Sequence, residues 1–160
     1  MRNFTFRRLT RSDLPLMERW LDSAHVRGWW PDAERQVNMM LEDIDNPAIN
    51  MLVVCLIDHP FGYMHDYDAH AYRQPQFADL PTGTRVLSTF VGDPGFTGQG
   101  HAPAYIEART RDLRLRHPLV AVGPDAKDSF AISTYGKAGF RRRRLCPSRS
   151  GRLVHVMTKL

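Results

Sequence analysis

Between Arg85 and Val122 the chain reads strand, glycine-bearing turn, helix, strand, and this run constrains the fold more than any other. Arg85 to Val91 suits a strand, closed by Gly92-Asp93-Pro94-Gly95. Gly100 to about Arg116 reads as a helix, and Leu119-Val120-Ala121-Val122 as a buried strand. A strand–helix–strand unit joins two parallel strands by a right-handed crossover.

The other elements must be built around that unit. Phe4 to Leu9 alternates apolar and polar residues and suits a short strand. Ser12 or Asp13 is a candidate cap for a helix to about Leu21, and a second helix is expected from Ala33 to Leu41. Met51 to Ile57 is a β-branched strand, Asp58-His59-Pro60 turns the chain, and Phe61 to Asp68 returns as a hairpin. Residues 70–84 hold Pro75, Pro81 and Gly83 without a period, so a long loop is expected there, a common place for ligands. Asp128 or Ser129 caps a helix that Gly139 terminates, and two strands follow, from Phe140 and over Leu153 to Thr158. The expected class is α/β: a single mixed, mostly antiparallel sheet with a parallel central crossover and helices on both faces.

Composition narrows the function. A chain of 160 residues holds one core of ordinary size, so a single domain over 1–160 is expected. Its longest apolar run, Met51 to Ile57, is far short of the roughly 18 residues of a membrane span. No apolar leader follows Met1-Arg2-Asn3-Phe4, and Cys55 and Cys146 are too few for a disulfide framework or a zinc site. A cytoplasmic protein with free thiols is the expectation, with no membrane partner. Charge is uneven: residues 1–80 hold 12 acidic and 8 basic residues, whereas 81–160 hold 5 and 14. The basic half suits an anionic partner such as a phosphorylated cofactor, although nucleic acid or simple solubility would also account for it.

The sharpest chemical signal is Phe96-Thr97-Gly98-Gln99-Gly100-His101-Ala102, between a strand and a helix. Glycines let the backbone approach a ligand, and the helix start offers unpaired N–H groups, which together suit a pyrophosphate. It is neither the dinucleotide fingerprint nor the P-loop. On the strand after Phe61, alternation puts Asp66, Asp68 and His70 on one face and Tyr63, His65 and Tyr67 on the other. Asp66 and Asp68 are candidates for binding a cation or acting as base; a solvated strand face is the plainer reading. His65 and His70 point to opposite faces, which argues against a metal site. Trp29 and Trp30 either stack on an acceptor or staple helices to the sheet. Arg141 to Arg144 cannot form one patch if they alternate on a strand, so a solvated, protected edge is expected and no nucleic-acid partner.

A second motif follows about 30 residues later, ending in Tyr135 and Ala138-Gly139-Phe140. The pair resembles the core motifs of the GCN5-related N-acetyltransferase superfamily. Its pyrophosphate consensus is Gln/Arg-x-x-Gly-x-Gly/Ala. Thr97-Gly98-Gln99-Gly100-His101-Ala102 matches the small positions and departs at Thr97. His25-Val26-Arg27-Gly28-Trp29-Trp30, Phe61-Gly62-Tyr63 and residues 85–93 look like the branch holding aminoglycoside 6'-N-acetyltransferases. Hydroxamate-forming siderophore acyltransferases lie near it. The resemblance covers essentially residues 4–158.

That resemblance implies acetyl-CoA as co-substrate and a small-molecule amine acceptor; no metal is expected, and a monomer or a homodimer is left open. It implies cofactor contacts from Phe90, Val91, Thr97, Gly98, Gln99, Gly100, His101, Ala102 and Asp128. Tyr135 would touch the cofactor and protonate the leaving thiolate. Ser88 stands where the branch carries an acidic residue facing the acceptor amine. Gly123 and Asp128 replace the Asp and Asn of the branch's Asp-Pro-x-x-x-Asn. Asp66, Asp68, Asp79 and Asp93 are the candidates to supply the missing charge, with Trp29 and Trp30 beside the acceptor. A siderophore-type hydroxylamine N-acyltransferase and a non-catalytic acyl-CoA-binding regulator remain as alternatives.

Overall fold

The computed structural model describes residues 2–160. Seven strands form one mixed sheet in the order β1-β2-β3-β4-β5-β7-β6. They are β1 (Phe4–Arg8), β2 (Ile49–Leu56), β3 (His59–Asp68), β4 (Arg85–Val91), β5 (Val120–Val122), β6 (Arg141–Pro147) and β7 (Leu153–Lys159). The helices are α1 (Leu14–Leu21), α2 (Ala33–Asp43), α3 (His101–Arg114) and α4 (Ser129–Lys137). β4 and β5 are parallel, with Arg85 opposite Val120, and α3 joins them, so the constraining unit is present. β1 with β2, β5 with β7 and β6 with β7 are antiparallel. Residues up to His65, with Thr89–His101, form one compact unit; Asp66–Ser88 with Ala102–Leu160 form a second.

In the first unit, α1 buries Met17, Trp20 and Leu21, the spacing of one helical face. These residues join Leu9, Met40, Val53, Tyr63 and Phe90 in one core. A Cβ on Gly92 would lie 2.0 Å from the Trp20 ring, so only glycine lets the chain leave β4 here. Asp13 is not the side-chain cap expected for α1. Its carboxylate instead accepts two bonds from the Arg7 guanidinium, both 2.8 Å, and one from the Thr10 N–H at 2.9 Å.

The turn between β2 and β3 also differs from expectation. Ile57 and Asp58 both have positive φ, 47° and 64°, while His59 and Pro60 lie in β3. Two consecutive left-handed residues are the tight hairpin turn that follows strand twist, usually built from Asn and Gly.

In the second unit, residues 70–84 form the long loop expected between β3 and β4, with some local order. Pro75–Phe77 forms a helical turn, and Phe77 and Thr84 are buried. The Tyr67 hydroxyl donates to Gln74 Oε1 at 2.8 Å, and the Ala69 N–H donates to the Thr84 carbonyl at 2.9 Å. On β6, Arg141 to Arg144 are exposed, as expected of a solvated edge. A bulge between Arg142 and Arg144 breaks strict alternation. Arg144 reaches back to Asp79 at 2.6 Å and to the Gln76 carbonyl at 3.0 Å.

Candidate functional site

The glycine loop belongs to the first unit, and its side chains brace it. Asp93 Oδ1 accepts the Gly95 N–H at 2.9 Å, and Oδ2 lies 3.0 Å from His59 Nε2. The bond to His59, then the one from Gly95, holds the Asp93 carboxyl below the usual carboxylate range. Phe96 stacks between the rings of His59 and Phe61, at 5.1 and 4.7 Å. The Thr97 hydroxyl donates to the Pro94 carbonyl at 2.8 Å, and Gln99 Nε2 donates to the Gly95 carbonyl at 2.6 Å. Asp93, Thr97 and Gln99 thus turn their side chains into the loop. What remains for a ligand is backbone.

That backbone is open. Gly98 and Gly100 sit at φ +72° and +74°, a region that disfavours side chains. A Cβ on Gly98 would meet nothing within 4 Å, and one on Gly100 would meet only the Arg2 guanidinium, at 3.5 Å. α3 begins at His101 with no acidic residue in its first turn. Bare peptide N–H groups at a helix start, with room above them, fit a pyrophosphate. The His101 ring packs against Phe61 and Phe96, and its Nδ1 is buried without a hydrogen-bond partner. Burial, then the charge of Arg2, lowers the pKa of that imidazole.

At the end of β4, His25 Nε2 lies 2.8 Å from the Val91 carbonyl, and Phe90 is buried in the core. The two tryptophans part company. Trp29 is 45% exposed. Trp30 packs edge-on against Phe90, His65 and Tyr63, at 5.0, 5.6 and 5.9 Å. The Tyr63 hydroxyl lies 2.9 Å from His65 Nδ1. His25 and His59 carried no catalytic signal in sequence. Each becomes visible only through the backbone or carboxylate it meets.

In the second unit, the reading of Asp66 is corrected. Its carboxylate is 0% exposed. Oδ1 accepts Arg85 Nε at 3.0 Å, and Oδ2 accepts Arg109 Nη2 at 2.8 Å and Nε at 3.2 Å. A carboxylate closed between two guanidiniums has no access to an acceptor amine, so Asp66 holds structure here rather than serving as a base. Asp68 is half-buried, and its Oδ1 accepts the His70 N–H at 2.8 Å. Ser88 is half-buried on β4.

Asp128 caps α4, accepting the Ala131 N–H at 3.0 Å, and burial raises its pKa. Its side chain therefore faces the helix start rather than standing free for a cofactor. Tyr135 is largely buried on α4, edge-on to Phe140 at 5.8 Å. The Phe140 N–H donates to the Tyr135 carbonyl at 3.0 Å, and Gly139 at φ +99° closes the helix. Gly123 has its own physical reason: a Cβ there would lie 2.9 Å from Phe77 Cζ. Among the described residues, no group of three or more His, Cys, Asp or Glu is placed to hold a metal, and no helix is long and apolar enough to cross a membrane.

Comparison with known proteins gives this geometry its context. The model of the acetyltransferase (GNAT) domain family matches residues 10–147. Aminoglycoside N(6')-acetyltransferase type 1 of Klebsiella pneumoniae is 23% identical over 164 residues, covering 96% of this chain and 81% of its own length. Among solved structures, an uncharacterized protein from Bacillus halodurans superposes with a TM-score of 0.88 at 15% identity, covering 98% of this chain and 83% of its own. The aminoglycoside acetyltransferase AAC(6')-Ib, solved with ribostamycin and coenzyme A, superposes with a TM-score of 0.84 at 22% identity, covering 98% and 93%.

Proposed function

Because this chain belongs to the acetyltransferase (GNAT) domain family, we propose that it transfers an acetyl group from acetyl-CoA to the amine of a small molecule. The observation that carries this reading is the open backbone of Gly98 to His101 at the start of α3. Acetyl-CoA, when bound, supplies an acyl thioester. The N–H groups of Gly98 to Ala102 bind its pyrophosphate, and backbone groups near Phe90 and Val91 orient the pantetheine. The acceptor amine attacks directly. Cys55 is buried, and neither it nor Cys146 lies in a motif of an acyl carrier, so no acyl-enzyme is invoked.

Tyr135 gives its phenolic proton to the departing thiolate. A phenol near pKa 10 donating to a thiolate near 8.5 works against about 2 kcal/mol, a modest barrier within an enzyme. Backbone donors to the developing oxyanion supply a larger share.

The acceptor follows from the carboxylates. Relatives named above act on aminoglycosides, which are polycations. Here Asp66, Asp68, Asp79, Asp93 and Asp128 each have a protein partner, Ser88 is neutral, and Gly123 is bare. With Asp66 closed between two guanidiniums, Ser88 neutral and Gly123 without a side chain, an acceptor of low basicity, neutral near pH 7, is favoured, and a hydroxylamine is the second reading. Kanamycin-like amines should be poor acceptors.

The test is thiol release over a panel of amines and hydroxylamines, with wild type and Tyr135→Phe. The expected loss in kcat for Tyr135→Phe is about 10²–10⁴-fold, with little change in the KM for acetyl-CoA. A loss below about threefold would leave Tyr135 a packing residue. Efficient kanamycin turnover by the wild type would overturn the acceptor reading.

A further inference from the structure

We propose that Arg2 is a positioning residue for the donor loop, holding two of its peptide units from behind so that their N–H groups face the phosphate. The inference rests on the reading that Gly98 to Ala102 bind pyrophosphate.

Arg2 Nη1 donates to the Gly100 carbonyl at 2.5 Å, and Nη2 donates to the Gln99 carbonyl at 3.2 Å. Those two carbonyls belong to the peptide units that carry the N–H groups of His101 and Gly100. No peptide bond among the described residues is cis. In a trans peptide the N–H points away from its C=O. By drawing both carbonyls to one side, the guanidinium turns both N–H groups to the other. They are consecutive donors at the entry to α3, where an anion site needs them.

Three physical consequences favour this arrangement. A loop with two glycines has unusual backbone freedom to lose when a ligand binds, and a two-pronged clamp removes part of it beforehand. A cation on the carbonyl end polarises the peptide and makes its N–H a stronger donor. The planar fork of Arg spans two successive carbonyls at once, which a single ammonium does not. A Cβ on Gly100 would sit 3.5 Å from both Nη atoms, so the clamp lies directly against the left-handed glycine. β1 brings Arg2 to this place, with the Phe4 ring 6.1 Å from the His101 ring. Nothing in the sequence marks the residue, because its partners lie 97 and 98 positions away.

The test compares wild type, Arg2→Ala and Arg2→Lys. CoA affinity by calorimetry should fall about tenfold in Arg2→Ala, and Arg2→Lys should recover only part of it. Turnover of acetyl-pantetheine, which lacks the pyrophosphate, should be unchanged. In the ligand-free protein, the amide resonances of Gly100 and His101 should move in Arg2→Ala, with little change in melting temperature. CoA affinity equal to or tighter than wild type in Arg2→Ala, or an equal loss with acetyl-pantetheine, would overturn the inference. Unmoved Gly100 and His101 resonances would do the same. A wild type that fails to bind CoA overturns the donor reading instead, and the ligand-free spectra still decide whether the clamp exists.

Discussion

The stretch from Asp93 to Gly100 and the stretch from Asp66 to His70 look alike in sequence, each a polar run beside a strand end, yet they use their carboxylates differently. Asp93 fastens a turn and leaves the following backbone bare. Asp66 disappears into the protein between Arg85 and Arg109. The difference teaches where a site can be read in advance. A backbone site is written in the absence of side chains, and glycine spacing displays that directly. A side-chain site depends on what stands opposite, and a strand's alternation says nothing about its neighbours.

The largest effect expected from this contrast belongs to Asp66→Ala. It leaves two guanidiniums, only 13% and 18% exposed, without their shared partner. Breaking a buried ion pair from one side costs about 3–5 kcal/mol, which urea unfolding would register. Stability unchanged and turnover lost would return Asp66 to the acceptor site. Next comes Gly100→Val, at φ +74° and against Arg2. CoA should bind more than about tenfold more weakly, roughly 1.4 kcal/mol, with the fold retained. An unchanged dissociation constant would break the claim that the bare backbone is the donor site.

The smallest effect concerns Asp13, a buried carboxylate engaged like Asp66 but by a single guanidinium, that of Arg7, which is itself 44% exposed. The hydrogen bond from Arg7 holds its carboxyl below the ordinary 3.8, against an opposing push from burial. A depressed folded pKa adds stability that is present above the unfolded value and lost as pH falls through the folded one. Wild type should therefore lose melting temperature as pH drops below about 4, and Asp13→Asn should flatten that limb. An identical acid limb in the variant would show that Arg7 and Asp13 are not coupled.

Much of the fold was legible for local reasons. The crossover from β4 through α3 to β5, the faces of α1 and the edge position of β6 follow from periodicity and charge. The proposed donor loop is visible in the sequence as two glycines before a helix. The surroundings of the carboxylates proposed for the acceptor are not. Phe77 reaches Gly123 from a long loop without periodicity, and Asp66 meets Arg109 from 43 positions away. Trp29 and Trp30, adjacent in sequence, differ because only Trp30 finds Phe90 and His65. These contacts are distant in sequence, and no local pattern encodes them.

The hairpin tip between β2 and β3 carries a local cost that the strands on either side must offset. Ile57 holds φ 47° while 77% exposed, so no burial compensates a conformation that disfavours an L-residue by about 1–2 kcal/mol. Local preference at the tip opposes the reversal, and contacts along the two strands must offset it. Val53, Cys55, Phe61 and Tyr63, all buried on these strands, are placed to supply such contacts.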